Sequence, residues 1–232
     1  GQCKPCHALI ERVTSENNAI GYSGTNAGGY LTVRDSVWRH NMAGIVPNSL
    51  DSEADPPQDA ARFENNLVES NNNAEAPDEA FGYAAWGTGI NVAGGINNEV
   101  VGNTVRDHDN FGIVAVPMVD DNVYPPKNNL VADNTVSNSG RADLAVGAPE
   151  NGGNVFRNND AATSRPAGLN GGTTLVGGDP WVTMVLFEQF SQLDSGSAPR
   201  GDWKSASDPP FDDLERGHVV LAPDPFKSDP RP

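Results

Sequence analysis

Residues 87–116 read GTGINVAGGINNEVVGNTVRDHDNFGIVAV, and this stretch decides the fold. It contains a small polar residue, a variable residue and an apolar one, Asn103-Thr104-Val105, between two Gly-Ile pairs, Gly89-Ile90 and Gly112-Ile113. The same unit recurs outward in both directions, as Ser36-Val37-Trp38, Asn66-Leu67-Val68, Asn134-Thr135-Val136 and Asn154-Val155-Phe156, with a further Gly-Ile pair at Gly44-Ile45. A unit this short cannot bury an apolar face alone, so copies must stack and share a core, as in a solenoid.

Between residues 8 and 160, short β-prone runs alternate with turns rich in Gly, Asn and Asp. The runs are 9–13, 30–33, 44–46, 63–68, 89–92, 100–105, 112–116, 129–136, 144–146 and 155–156. Two-residue alternation sets the polar residue of each unit on the same side of the strand as the apolar one, which makes the polar residue a corner. Asn side chains stacked at such a corner can hydrogen-bond from coil to coil and satisfy backbone that would otherwise be buried unpaired. Ile90 and Ile113 lie 23 residues apart, close to one coil, whereas Ile45 and Ile90 are nearly twice as far apart. The excess is assigned to an insertion over residues 51–86. Trp38 takes an inward position by analogy with Val105 and Phe156.

The strings GYSGTNAGGYLTVRDSVWRHNMAGIVPNS (21–49), residues 87–116 and NLVADNTVSNSGRADLAV (129–146) resemble the right-handed parallel β-helix repeat proteins of the pectate-lyase-like group, in its uncharacterised secreted bacterial branch. The resemblance covers roughly residues 1–160. It implies an all-β, right-handed parallel β-helix of about five or six coils, secreted or displayed at the cell surface. It also implies that an elongated saccharide would lie in a groove across one sheet. Lyases, hydrolases and epimerases of acidic polysaccharides share this fold with non-catalytic surface proteins. The Asn-Thr-Asp strand end and Gly-His-Gly turn of the polygalacturonase-like hydrolases are missing from the repeat.

The formal net charge of −16 argues against nucleic acid, whose binding rests on basic side chains. An acidic polysaccharide requires divalent cations between the carboxylates, and oxygen ligands of this type suit Ca2+. No run approaches the ~18 apolar residues of a membrane span. Gly1 opens the chain without an apolar leader, and Ala8-Leu9-Ile10 follow almost at once. An uncapped first coil exposes an apolar face and open strand edges. We therefore expect either upstream coils or end-to-end self-association at that end. Residues 161–232 are read as a C-terminal cap or extension, partly disordered, in which the apolar run 181–187 forms a short helix capping the last coil.

Four groups of residues carry candidate chemistry. Arg106, Asp107, His108 and Asp109 bring a cation, two carboxylates and an imidazole into one turn, an inventory suited to proton abstraction from a uronate. Arg39 falls at a like position on a nearby coil, and two arginines could neutralise a substrate carboxylate. Sister coils carry only polar turns there, so a turn without catalytic role is the competing reading. Asp51, Glu53 and Asp55, with Asp120 and Asp121, flank the strands after the Gly-Ile pairs. They are candidates for metal ligation (Asp51, Glu53) or substrate binding (Asp120, Asp121), or for the carboxylate pair of a glycosidase. Their competing reading is solvated loop acid. Trp86, beside Tyr83, is the candidate sugar-stacking platform. Cys3-Lys4-Pro5-Cys6-His7 matches the C-x-x-C-H of haem c attachment, and a disulfide or two thiols is the other reading.

Overall fold

A computed structural model of the chain describes residues 4–76, 82–172 and 177–194. The described chain winds through six coils of three strands each. Coil 1 holds β1 (Ala8–Glu11), β2 (Thr14–Glu16) and β3 (Ile20–Thr25), and coil 2 holds β4 (Leu31–Arg34), β5 (Val37–Arg39) and β6 (Ala43–Asn48). Coil 3 holds β7 (Ala61–Glu64), β8 (Leu67–Glu69) and β9 (Thr88–Ala93), and coil 4 β10 (Glu99–Val101), β11 (Thr104–His108) and β12 (Phe111–Val116). A hairpin of β13 (Met118–Val119) and β14 (Val123–Tyr124) follows. Coil 5 holds β15 (Leu130–Ala132), β16 (Thr135–Ser139) and β17 (Ala142–Val146), and coil 6 β18 (Val155–Arg157), β19 (Asp160–Ala161) and β20 (Ser164–Arg165). Like strands of successive coils pair in parallel to give three six-stranded sheets: A from the first strand of every coil, B from the second and C from the third. The molecule is an all-β parallel β-helix solenoid.

A two-part device makes each corner. A residue with positive φ turns the chain, and the next residue, usually Asn, points inward and bonds to the coils on either side. At the A–B corner the turning residues are Arg12, Asp35, Asn65, Gly102, Asp133 and Asn158. Asn and Asp tolerate this conformation because their short polar side chains bond locally. The Nδ2 groups of the following Asn66, Asn103, Asn134 and Asn159 donate to the carbonyls of Val33, Phe63, Val100 and Val131 in the coil above. The Oδ1 atoms of Asn103, Asn134 and Asn159 accept the backbone N–H of the ladder residue above. Asn170 closes this ladder by accepting from Asn159.

The other two corners repeat the device. A third ladder, at the C–A corner, runs through Asn98, Asn129 and Asn154 and begins on Gln58, whose amide exchanges two hydrogen bonds with Asn98. Asn154 thus stands in a different ladder from Asn66, Asn103 and Asn134. Its copy in theirs is Asn159, and Phe156 stacks in sheet A with Val131 rather than below Trp38. Both motifs read alike because every corner uses the same polar residue. The B–C ladder is described below with the candidate site.

The solenoid interior is filled by apolar columns: Val33, Phe63, Val100, Val131 and Phe156 from sheet A; Trp38, Val68, Val105 and Val136 from B; Ile45, Ile90, Ile113 and Leu144 from C. Full burial of such a side chain stabilises by about 1.5–3 kcal/mol. Ile45 pairs with Ile90, so the long interval between them is still a single coil. The excess is divided between two excursions, 49–60 and 70–87, and β7 and β8 lie between them with Ala61, Phe63 and Val68 buried. The expected run 63–68 thus supplies two strands of coil 3, and the single insertion expected over 51–86 is overturned.

The four middle strands of sheet C, β6, β9, β12 and β17, are buried on both faces. Helix α1 (Pro180–Asp194) lies along its outer side, where Val182, Val185 and Leu186 pack on Ala93, Phe111, Val114, Val116, Ala142 and Ala145. Ala85, from the 3-10 turn Gly82–Ala85, covers Ala43 and Val46. Asp179 starts the helix by accepting the Trp181 N–H at 2.9 Å ahead of Pro180 in the first turn. Trp181 is flanked by the guanidinium groups of Arg165 (4.1 Å) and Arg141 (5.4 Å). The apolar run 181–187 is therefore helical, but it covers a sheet, and at the last coil it is Leu169 that enters the core and Asn170 that ends the A–B ladder. Residues 195–232 of the expected extension lie outside the described residues. No described helix is long and apolar enough to cross a membrane.

Candidate functional site

The B–C corner places its turning residues at Asn17, His40, Ser70, Asp107 and Asn138, and its ladder residues one step later at Asn18, Asn41, Asn71, His108 and Ser139. Asn41 and Asn71 bond as in the other ladders, donating to the carbonyls of Ser15 and Trp38. His108 takes the same station in coil 4. Its Nδ1 accepts the Asn71 N–H at 3.4 Å, and its Nε2 lies 3.3 Å from the Val68 carbonyl, which assigns the neutral, Nε2-protonated tautomer. The imidazole is 1% exposed, and burial pushes its pKa down to about 4. A glycine column makes room beside it: a Cβ on Gly89 would come within 2.7 Å of His108 Nε2 and 2.6 Å of the Gly112 carbonyl.

The neighbours of His108 in sequence are also engaged. Asn72 clasps the corner, donating to the Asp107 carbonyl and accepting the Asp109 N–H, each at 2.8 Å. Asp107 accepts from Asn138 of the next coil at 3.0 Å, and Asp109 is exposed. Arg106 points outward from sheet B and bonds Glu69 through Nε (2.9 Å) and Nη2 (2.5 Å), an ion pair that holds its guanidinium pKa above the ordinary value. Arg39 stands in the same column, bonded to Glu16 at 2.8 Å, with Glu69 paired between the two arginines. The column reads Glu16, Arg39, Glu69, Arg106, each cation beside an acid. On sheet A, Arg34 bonds Glu11 through both Nε and Nη2, which lowers the Glu11 pKa.

The structure brings together acids from the two loops at the C–A edge. The Asp51 N–H donates to Asp120 Oδ2 at 2.8 Å, joining the 49–60 excursion to the β13–β14 hairpin across the short turn of coil 3. The Asp51 carboxylate accepts from the Tyr124 hydroxyl and from the Nδ2 and backbone N–H of Asn122 (each 2.7 Å), and these donors hold its pKa below the usual carboxylate range. Gly94 lets the hairpin approach, since a Cβ there would meet Met118 and Tyr124 at 2.8 Å. Glu53 contributes its carbonyl to Asn26, which is fully buried and anchors the excursion through the carbonyls of Leu50, Glu53 and Ala54. Asp55 and Asp121 are exposed. Among the described residues, no three His, Cys, Asp or Glu side chains are grouped to hold a metal ion.

Trp86 is half-buried beside the 3-10 turn, and its carbonyl accepts from Asn110 at 2.8 Å. The Tyr83 side chain lies outside the described residues. Cys6 is disulfide-bonded, Cys3 lies outside the described residues, and His7 stacks on Tyr30 with ring centroids 4.8 Å apart. One polar residue went unnoticed in the sequence. Asp143 replaces the glycine of the Gly-Ile pairs, in Ala142-Asp143-Leu144, and its buried carboxylate accepts from the Ser139, Ala162 and Thr163 N–H groups and the Thr163 hydroxyl. The substitution was readable as an Asp in a Gly column. Its job, ending the B–C ladder, needed the coil alignment.

No family model matches the chain, and no curated protein or solved structure matches it either.

Proposed function

We propose that this chain is an exported β-helix of the pectate-lyase-like kind that acts as a non-catalytic structural or adhesive solenoid. The observation that supports it most is the fate of the catalytic inventory. His108 is consumed by a corner ladder, Arg39 and Arg106 are neutralised by Glu16 and Glu69, and α1 covers the outer side of β9, β12 and β17 in sheet C. A buried imidazole held at both nitrogens has neither a free lone pair nor access to a substrate proton. The Cys6 disulfide supports an oxidising, extracytoplasmic location.

A second reading, polysaccharide binding or processing assisted by Ca2+, draws on the convergence of Asp51 and Asp120 at one edge. The two are separated by assaying a panel of acidic and neutral polysaccharides with calcium present or chelated, following ultraviolet absorbance of unsaturated products and new reducing ends. The scaffold reading expects neither signal. Turnover that disappears in Asp109→Asn or Asp120→Asn would overturn it in favour of an enzyme. Calcium-dependent binding without turnover, abolished by Asp120→Asn, would replace it with a lectin-like role.

A further inference from the structure

The C–A corner turns at one residue per coil, His7, Tyr30, Ala60, Asn97, Asn128 and Gly153, each at positive φ. In coils 4 to 6 the station is held by Asn and Gly, which tolerate that conformation. Coils 1 and 2 carry rings instead, although a bulky side chain is disfavoured there. The rings of His7 and Tyr30 stack with centroids 4.8 Å apart and planes at 13°. That separation matches the about 4.7–4.9 Å between neighbouring strands of a sheet. With one face on His7, Tyr30 is still 73% exposed, so its ring adds little to the core. An exposed aromatic held against its backbone preference is the kind of local conflict that gathers at ligand clamps.

Below Tyr30 the station in coil 3 holds only the exposed methyl of Ala60. Asn97 stands one coil further on, about 9–10 Å from Tyr30 at that coil spacing. The gap admits one planar group, in contact at about 3.5–4.0 Å on either side. Asp59 borders it: its carbonyl accepts the Gly29 N–H at 2.9 Å, and its Oδ1 accepts from Asn97 Nδ2 at 2.8 Å. Among the described residues only that one oxygen of the carboxylate is engaged. Lys4 is turned onto the carbonyls of Asp55 and Pro57. We infer that the slot between Tyr30 and Asn97 binds a guanidinium, the arginine side chain of a partner protein. A guanidinium is planar, stacks on an aromatic face and meets a carboxylate in its own plane. A lysine ammonium has the charge but no plane to fill the gap. The net charge of −16 draws a cationic partner to this surface. The proposal rests on the adhesive reading only for the source of the arginine. Probe binding tests the slot and polysaccharide turnover tests that reading, so the two fail separately.

The test is an NMR titration of the full chain with the blocked peptide Gly-Arg-Gly, beside Gly-Lys-Gly and methyl glucoside. With the arginine peptide the ring resonances of Tyr30 and His7 should move and saturate, while those of Tyr22, packed against the core, stay in place. The lysine peptide should bind several-fold more weakly. Asp59→Asn should weaken the arginine peptide about tenfold, the loss expected for one hydrogen bond between charged groups. Tyr30→Asn removes the platform and Ala60→Asn fills the slot, and both install the residue that Asn97 and Asn128 show to suit this station. Both variants should therefore lose binding with the unfolding midpoint unchanged or raised. Absence of a saturable shift at Tyr30 overturns the inference, as does equal binding of the two peptides or full binding by Tyr30→Asn. Saturation by methyl glucoside in preference to arginine would make the slot a sugar site and overturn it too.

Discussion

His108 occupies the station below Asn71 in the B–C ladder and makes two of the bonds an asparagine makes there, accepting the Asn71 N–H at Nδ1 and donating from Nε2 to the Val68 carbonyl. The side chain that reads as the strongest catalytic candidate is thereby a corner residue.

Because Asn41 and Asn71 do the same work in neighbouring coils, His108→Asn should be nearly neutral at pH 7, within about 1 kcal/mol by urea unfolding. His108→Ala leaves the Asn71 N–H and the Val68 carbonyl without partners and should cost about 2–4 kcal/mol, at about 1–3 kcal/mol for each buried group left unsatisfied. Equal losses in both variants would contradict the isosteric role.

The same residue sets an acid limb. Unfolded histidine titrates near 6.5 and the buried one near 4, so between these values the unfolded state binds a proton that the native state does not. The His108 contribution should fall as pH drops from 6.5 and level off below 4, by on the order of 3 kcal/mol in total. The His108→Asn protein should lack this limb in equilibrium unfolding followed against pH. Glu11 and Asp51, whose folded pKa values are lowered from 4.5 and 3.8, begin to lose their contributions as pH falls through those values and go on losing them below.

Gly89→Ala places a methyl within 2.5 Å of Val105 Cγ1, 2.6 Å of the Gly112 carbonyl and 2.7 Å of His108 Nε2. Backbone cannot yield here without breaking sheet C, so a loss at or above the upper end of the usual 1–3 kcal/mol overpacking range is expected. Gly152→Ala is the comparison for left-handed backbone alone, since nothing lies within 4 Å of its Cβ position. A smaller loss at Gly89 than at Gly152 would remove the crowding argument.

Arg106→Gln removes one partner of a half-exposed ion pair, and the expected cost is below about 1 kcal/mol and smaller still in high salt. Thermal melts at two ionic strengths check it. A loss of several kcal/mol would mean that the charge column holds the coils in register.

Much of the fold was legible from local chemistry. Gly, Asn and Asp at turning positions and apolar residues at alternate strand positions announce strands and corners wherever they occur, and the described coils follow them. Strand β3 (Ile20–Thr25) is not among the expected runs because Gly21 and Gly24 interrupt it, and its pairing with β6 supplies what propensity does not. The candidate site was less legible. Arg39 and Arg106 share a column as expected, yet Glu69, which separates and neutralises them, sits on the intervening coil, 37 residues before Arg106.

The sequence by itself determined that the chain is a solenoid of short strands turned by polar corners, because turn conformation and strand alternation are properties of a few adjacent residues. Tertiary structure alone decided which corner each asparagine serves, that His108 is one of them, and that α1 covers sheet C rather than the end of the last coil. Those outcomes depend on which residues stand one coil apart. Loops of unequal length, such as 49–60 and 70–87, set that distance, and local sequence does not encode it.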